Sequence, residues 1–187
     1  MKYLKTIIIG IICAGLILGY YYYLSTRDNR SNNMTEQSRV DKVIDMDMEK
    51  NYPKTPRVVV EAFSEILCCY YNEDYNEDQF RKMAYQQRAL LDKELLENNP
   101  EQQFMISVRA DINDYKNNGR TISSFTVCGT DDVVYKTIEG EDYAYVTCSY
   151  FIKNGNSGFE NTCQRYVLRK DDNGQWKILV YYLVEGE

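Results

Sequence analysis

The sequence predicts an α+β protein: an N-terminal transmembrane helix, then three helices packed on a curved four-stranded antiparallel sheet. Three observations carry this. Residues 6–24 (TIIIGIICAGLILGYYYYL) hold no charge. From Thr55 to Asn117 apolar residues recur at the i, i+3, i+4, i+7 spacing of a helix face. After Gly119 the chain turns to runs rich in Thr, Val, Tyr and Phe, separated by Gly/Asn/Asp clusters, as in strands joined by hairpins. Helices followed by a meander is the plan of a helical layer on one face of a sheet.

The leading apolar block reads as an anchor. The strictly apolar core, residues 7–19, has the length of a signal-peptide h-region. A cleavage site would need small residues at the third and first positions before the cut, and Tyr20-Tyr21-Tyr22-Tyr23-Leu24-Ser25 offers no such pair. Cys13 follows Ile12 rather than a small residue, which argues against a lipoprotein site. The tyrosines fit an interfacial belt instead. As a helix, residues 7–24 would span roughly 27 Å, close to the hydrocarbon thickness of about 30 Å. Their nine Ile and Leu residues contribute on the order of −3 to −5 kcal/mol to insertion. Lys2 and Lys5 mark a short cytoplasmic stub, although Arg27, Arg30, Arg39 and Lys42 follow the span. The expectation is a single-pass membrane protein: stub and anchor in 1–24, a flexible linker over 25–54, and an extracytoplasmic domain over 55–187.

The linker is polar and aperiodic in STRDNRSNNMTEQSR, a disorder signature, with slight periodicity in Val40–Met48 and two prolines, Pro53 and Pro56, near its end. Thr55 is a good N-cap and Pro56 suits the first helical position. Val59, Ala62, Phe63, Ile66, Leu67 and Tyr70 then form the face of a first helix. Asn76 followed by Gln79 makes a capping box for a second, carrying Phe80, Met83, Ala84 and Leu90. A third runs from about Pro100 to Asn117, with Phe104, Val108, Ile112 and Tyr115 on one face and Gly119 as its C-cap. Strands are expected near 121–137, 142–153, 158–170 and 175–184, with Trp176 in the core.

Composition excludes several functions. The net charge of −6 becomes −8 once the two lysines of residues 1–24 are set aside. An acidic domain repels phosphate backbones, so no nucleic-acid partner is expected. The absence of histidine removes Ser-His-Asp and Cys-His catalysis and all His-ligated metal sites. The six cysteines show no C-x-x-C spacing, and no cofactor or metal is implied. The acids in Asn72-Glu73-Asp74 and Asn76-Glu77-Asp78 lack the glycine of a calcium loop. Asn33-Met34-Thr35 has the spacing of a glycosylation acceptor.

The candidate sites follow from strand register. A four-residue loop at Asn154–Ser157 would pair Lys153 with Gly158 and bring Cys148 opposite Cys163, a disulfide permitted outside the cytoplasm. The alternative is that the cysteines are buried small apolar residues. In the same register Tyr143, Tyr145 and Phe151 point one way and Tyr150 and Phe159 the other. The face turned from the helices, with Tyr143, Tyr145, Phe151 and Tyr166, is a candidate surface for a protein partner or for self-association, since tyrosine is enriched at interfaces. Alternatively these rings only cover a half-wet sheet face. An Asp/Tyr pair could serve isomerase- or hydrolase-like chemistry, and Asp111 and Asp114 lie near Tyr115 on the third helix. Nothing in their spacing joins them, and acids at i, i+3 usually form a solvated face.

Several phrases carry a family resemblance: Thr55-Pro56-Arg57-Val58-Val59, Glu65-Ile66-Leu67, Tyr70-Tyr71-Asn72-Glu73, Leu95 to Pro100, Arg120-Thr121-Ile122-Ser123-Ser124 and Val167-Leu168-Arg169-Lys170-Asp171, then Gly174 and Trp176-Lys177-Ile178. Over residues 55–184 the chain resembles uncharacterised membrane-anchored bacterial proteins. Its order of elements is similar to the cone of the nuclear transport factor 2 and ketosteroid isomerase superfamily, where a Gly-x-Trp-Lys-Ile strand recurs. That resemblance implies a cavity between helices and sheet, and therefore a small apolar ligand. It implies no activity and no site residue. The functional expectation is a membrane-tethered, non-catalytic binding module, with the Asp/Tyr enzyme as the alternative.

Overall fold

The computed structural model describes residues 37–184. The expected anchor, with its membrane contact at residues 7–24, and residues 25–36 of the expected linker lie outside the described residues. The chain divides into two units, Met1–Ser38 and Arg39–Glu187, and every helix and strand among the described residues belongs to the second. None of those helices is long and apolar enough to cross a membrane.

The folded unit begins earlier than the expected Thr55. A short helix α1, Arg39–Ile44, buries Val40 and Val43. Gln86 Nε2 ties down its C-terminal carbonyls, donating to Ile44 O (2.9 Å) and Met46 O (2.6 Å), and Arg39 pairs with Glu65 at 2.8 Å. Two valines three residues apart on six residues give too little pattern to distinguish a docked helix from a linker.

Helix α2, Pro56–Asn72, starts as expected: Thr55 Oγ1 accepts from Val58 N, and Pro56 stands in the first turn. It is buried on almost every side, including Val59, Val60, Phe63, Ile66, Cys68, Cys69 and Tyr70. A fully buried Phe63 contributes about 1.5–3 kcal/mol. At its end Asn72 acts as a strand neighbour: Nδ2 donates to Ile122 O (2.7 Å) and Oδ1 accepts from Ile122 N (2.9 Å). Helix α3, Glu77–Ala89, opens with the capping box Asn76/Gln79. The short α4, Lys93–Asn98, is capped by Asp92, and α5 spans Glu101–Asn117.

The sheet is antiparallel and has five strands rather than four: β1 Arg120–Val127, β2 Val134–Ile138, β3 Glu141–Asn154, β4 Phe159–Lys170 and β5 Trp176–Val184. The segment expected as one strand over 121–137 breaks at a 3₁₀ turn, Thr130–Asp132. Strand β3 has fourteen residues, roughly 46 Å at about 3.3 Å per residue. It is long enough for β1 to pair with its second half and β2 with its first. The order is β1-β3-β4-β5. Residues 90–92 cover part of the β5 edge: Ile178 N donates to Leu90 O and Asp92 N to Ile178 O, both at 2.8 Å.

The β3–β4 hairpin differs from expectation by one residue. Lys153 pairs with Phe159, not Gly158. Gly158 adopts φ 97° within the loop, a conformation suited to glycine, and Asn154 N donates to its carbonyl at 2.9 Å. A slip of one residue turns every side chain of a strand to the opposite face. Cys163 therefore pairs with Ser149, and Cys148 with Gln164. Cys148 is buried on the helix side, Cys163 lies on the other face, and both are free thiols. The expected cross-strand Cys148–Cys163 juxtaposition is absent for that reason. Likewise Tyr166, expected on the outer face, is fully buried opposite Val146. Phe159, expected inside, stacks on Phe151 outside, with centroids 4.9 Å apart.

The core lies between α2 and the inner sheet face, where Ile122, Val127, Val146, Cys148, Tyr150, Tyr166, Leu168 and Ile178 are buried. Trp176, 9% exposed, joins it and meets the Tyr135 ring at 5.8 Å.

Candidate functional site

A cavity of about 490 Å³ opens between α2, α3, α5 and strands β4–β5. That volume is within the range that takes small organic ligands. Its floor is set by residues whose positions the helices dictate. Phe63 and Tyr70 project from α2 at i and i+7, and Gln87 from α3, all three less than 5% exposed. Leu67, Leu91, Leu95 and Val108 supply apolar wall. Ser107 and Asp111 on α5 and Val180 and Tyr181 on β5 form an exposed rim.

Two polar atoms in this lining have no partner: the Tyr70 hydroxyl and Gln87 Oε1 are both buried and accept or donate no hydrogen bond. A buried polar group left in this state costs about 1–3 kcal/mol. Gln87 continues the stripe Phe80, Met83, Ala84 along the buried face of α3. An amide at the i+7 position of an apolar stripe is the signal by which the sequence could have revealed it. Tyr70 and Phe104 were legible as members of apolar helix faces but not as cavity lining, and Gln164 and Tyr181 carried no signal.

A polar chain runs through the core to the wall of the cavity. Tyr166 Oη donates to Gln164 Oε1 at 2.8 Å. Its oxygen can then accept from Tyr150 Oη (2.6 Å), whose own oxygen accepts from Ser64 Oγ (2.7 Å), with Cys148 Sγ next at 3.6 Å. This direction leaves the Gln164 amide nitrogen as a donor. Burial pushes the Tyr150 and Tyr166 hydroxyls far up, so both stay neutral. The rings assemble around Phe63, which meets Tyr166 edge-on at 5.7 Å and Tyr181 at 5.6 Å. Tyr71 stacks on Tyr115 at 4.0 Å.

Asp111 is the one carboxylate in the lining. Partial burial, and then the neighbouring Asp114, raise its pKa from the ordinary aspartate value. It shares the cavity with Tyr71 and Tyr181, but no hydrogen bond joins it to either. Among the described residues no group of His, Cys, Asp and Glu is arranged to hold a metal ion. The most buried carboxylate among the described residues, Asp92, belongs to a structural pair: Arg169 grips it through Nη2 (2.6 Å) and Nε (3.1 Å) while its Oδ1 caps α4. A more open groove between α3 and α5 is crossed by the ion pair of Glu77 with Arg109, and Arg81 reaches the same carboxylate from within α3.

Of the aromatic residues expected on the outer face, Tyr143, Tyr145 and Phe151 are there. Tyr143 donates to Glu141 at 2.8 Å, the Lys136 ammonium lies 5.4 Å from the Tyr145 ring, and Phe151 rests on Phe159.

No curated protein matches the chain. A crystal structure of the intermembrane space region of chloroplast protein ARC6 aligns at 13% identity, covering 72% of this chain and 100% of that one, and its TM-score of 0.33 carries no argument about fold or function. The family model described as "Domain of unknown function (DUF6715)" matches residues 1–181, and the chain belongs to that family.

Proposed function

We propose that this is a non-catalytic binding module which takes one small amphiphilic molecule into the cavity between its helices and its sheet, and that residues 7–24 tether it to a membrane with the domain on the extracytoplasmic side. The single observation that carries the binding is the pairing of an apolar cavity of about 490 Å³ with two buried, unpartnered polar groups in its lining, Tyr70 Oη and Gln87 Oε1. A ligand group bonded to them would remove the penalty they impose. The order of helices then meander, and the cavity between them, support the nuclear-transport-factor-2-like cone as the finer description of the fold. The tether rests on the uncharged run 6–24, its tyrosine belt and the lysines before it.

The outer sheet face is the weaker binding surface, because Tyr143, Tyr145 and Phe151 are already engaged by Glu141, Lys136 and Phe159. The isomerase- or hydrolase-like reading has in its favour that Asp111, Tyr71 and Tyr181 line one cavity. Against it, the carboxylate is on the exposed rim with no hydrogen bond to a hydroxyl, whereas such chemistry needs the two to converge on the reacting atoms.

Calorimetric titration of the full-length chain with octan-1-ol tests the binding. Leu67→Trp fills the cavity and should weaken binding by about ten-fold or more, the loss of 1.4 kcal/mol or more of contact. The outer-face variant Phe151→Ser should leave it unchanged. Equal affinity in Leu67→Trp, or a loss only in Phe151→Ser, would contradict the reading.

A further inference from the structure

Resting on that reading, we infer that the cavity's ligand is a primary ammonium ion carried on an apolar body. The lining holds one carboxylate, Asp111, and no lysine or arginine. Several oxygens of the lining are available to accept from an ammonium group. Gln87 Oε1 is buried and unpartnered. The Asn99 amide nitrogen is committed to Leu95 O at 3.0 Å, which leaves its oxygen as the remaining acceptor. Asp111 adds two more carboxylate oxygens. The unpartnered Tyr70 hydroxyl can accept as well as donate, and the Gln164 amide nitrogen is a donor, fixed because Gln164 Oε1 accepts from Tyr166. An ammonium group brings three donors to these oxygens and the charge opposite to that of Asp111; a carboxylate brings only acceptors and would meet Asp111 as a like charge.

The rings point the same way. Phe63, Tyr70, Tyr71, Phe104 and Tyr181 all contribute to the lining, and aromatic faces attract cations. One of them already does so: the Arg88 guanidinium lies 5.2 Å from the Phe104 centroid and donates to Asn99 O at 2.9 Å, from outside the cavity. Asp114, three residues beyond Asp111 on α5, is a second carboxylate nearby, but it is paired with Arg120 at 3.7 Å, so the charge of the lining is that of Asp111. The volume, at about 30 Å³ for each water-sized group, holds about sixteen such groups. An eight-carbon chain with a polar head fits.

The test compares three probes of one shape and different charge on the full-length chain by calorimetry at low salt and neutral pH: octylamine, octan-1-ol and octanoate. Octylamine should bind about ten-fold more tightly than octan-1-ol, with octanoate the weakest. Asp111→Asn, an exposed and nearly isosteric change, should lower octylamine affinity up to about five-fold, as expected for an exposed charge, and leave octan-1-ol affinity unchanged. Octan-1-ol binding with no preference for the amine would overturn the ammonium inference and leave the cavity reading standing, as would an Asp111→Asn effect equal on both probes. Binding of none of the three would overturn both.

Discussion

Removing one oxygen atom should have opposite effects at two tyrosines of the same core. Tyr70 Oη is buried without a partner, whereas Tyr166 Oη bridges Tyr150 and Gln164 at 2.6 and 2.8 Å. In Tyr70→Phe the unfolded chain loses a hydrated hydroxyl and the folded chain loses an unsatisfied one, so the desolvation cost of about 1–3 kcal/mol disappears. The space left is at most a water's share of about 30 Å³, which at about 24 cal/mol per Å³ costs no more than about 0.7 kcal/mol. The net is a stabilisation of about 1 kcal/mol, or a rise in Tm of about 2–4 °C for a domain of this size. Gln87→Met should behave in the same way. Tyr166→Phe instead strands Gln164 Oε1 and interrupts the chain to Ser64, and should destabilise by about 1–3 kcal/mol. Urea unfolding of the full-length chain, followed by near-UV circular dichroism, measures all three. The stabilised variants should also bind octylamine more weakly, because the group they lose is one that the ligand satisfies. A Tyr70→Phe variant destabilised as much as Tyr166→Phe would show that the Tyr70 hydroxyl is bonded in the folded protein and would refute this reasoning.

Arg169→Met leaves Asp92 buried without its guanidinium; breaking such a pair costs about 3–5 kcal/mol, and the lower end is expected because a fifth of the Arg169 side chain is exposed. A loss under about 1 kcal/mol would mean that the pair behaves as a surface bridge. Burial pushes the Cys68 thiol up to about 11, Cys69 up to about 12, and Cys148 upward. At pH 8 an aromatic disulfide reagent should therefore modify the half-buried Cys128 and Cys163 first and these three only on unfolding. A Cys148–Cys163 cross-linked peptide from unreduced protein would contradict the register of β4. Asp111 titrates above its unfolded value, so the folded chain binds that proton more tightly and stability falls as pH rises from about 4 through the folded pKa. Asp111→Asn should thus be more stable than the parent at pH 7, with the difference closing below pH 4, and octylamine affinity should drop as the pH is lowered through the same window, because the protonated carboxyl no longer attracts the ammonium. Asp114 on α5, Tyr71 and Tyr115 are the titratable groups around it, with Tyr181 from β5, and burial holds the tyrosines neutral throughout. A pH-independent difference would contradict this.

The parts of the fold legible in the sequence are those fixed by local chemistry. Thr55-Pro56 and the Asn76/Gln79 box start α2 and α3 because capping depends on residues within one turn. The α+β order and the core position of Trp176 follow from periodicity. What failed depends on distant partners. The β3–β4 register turned on whether Gly158 closes the loop or begins the strand, and that one residue moved Cys163, Tyr166 and Phe159 to the opposite face. The break between β1 and β2 depends on both pairing along one long β3. The site was the least legible, because Gln87 and Tyr70 are separated in sequence and become a site only when α2 and α3 bury them against the same cavity.

The most direct test of the central claim is a set of intermolecular nuclear Overhauser effects between octylamine and the isotopically labelled full-length chain. Contacts from the octyl chain to the methyl groups of Leu67, Leu91 and Val108, and from the methylene beside the amine to Gln87 or Asn99 side-chain amide protons, are the predicted result. Contacts confined to Tyr143, Tyr145 and Phe151 on the outer sheet face, or no contacts in the presence of saturating probe, would contradict it.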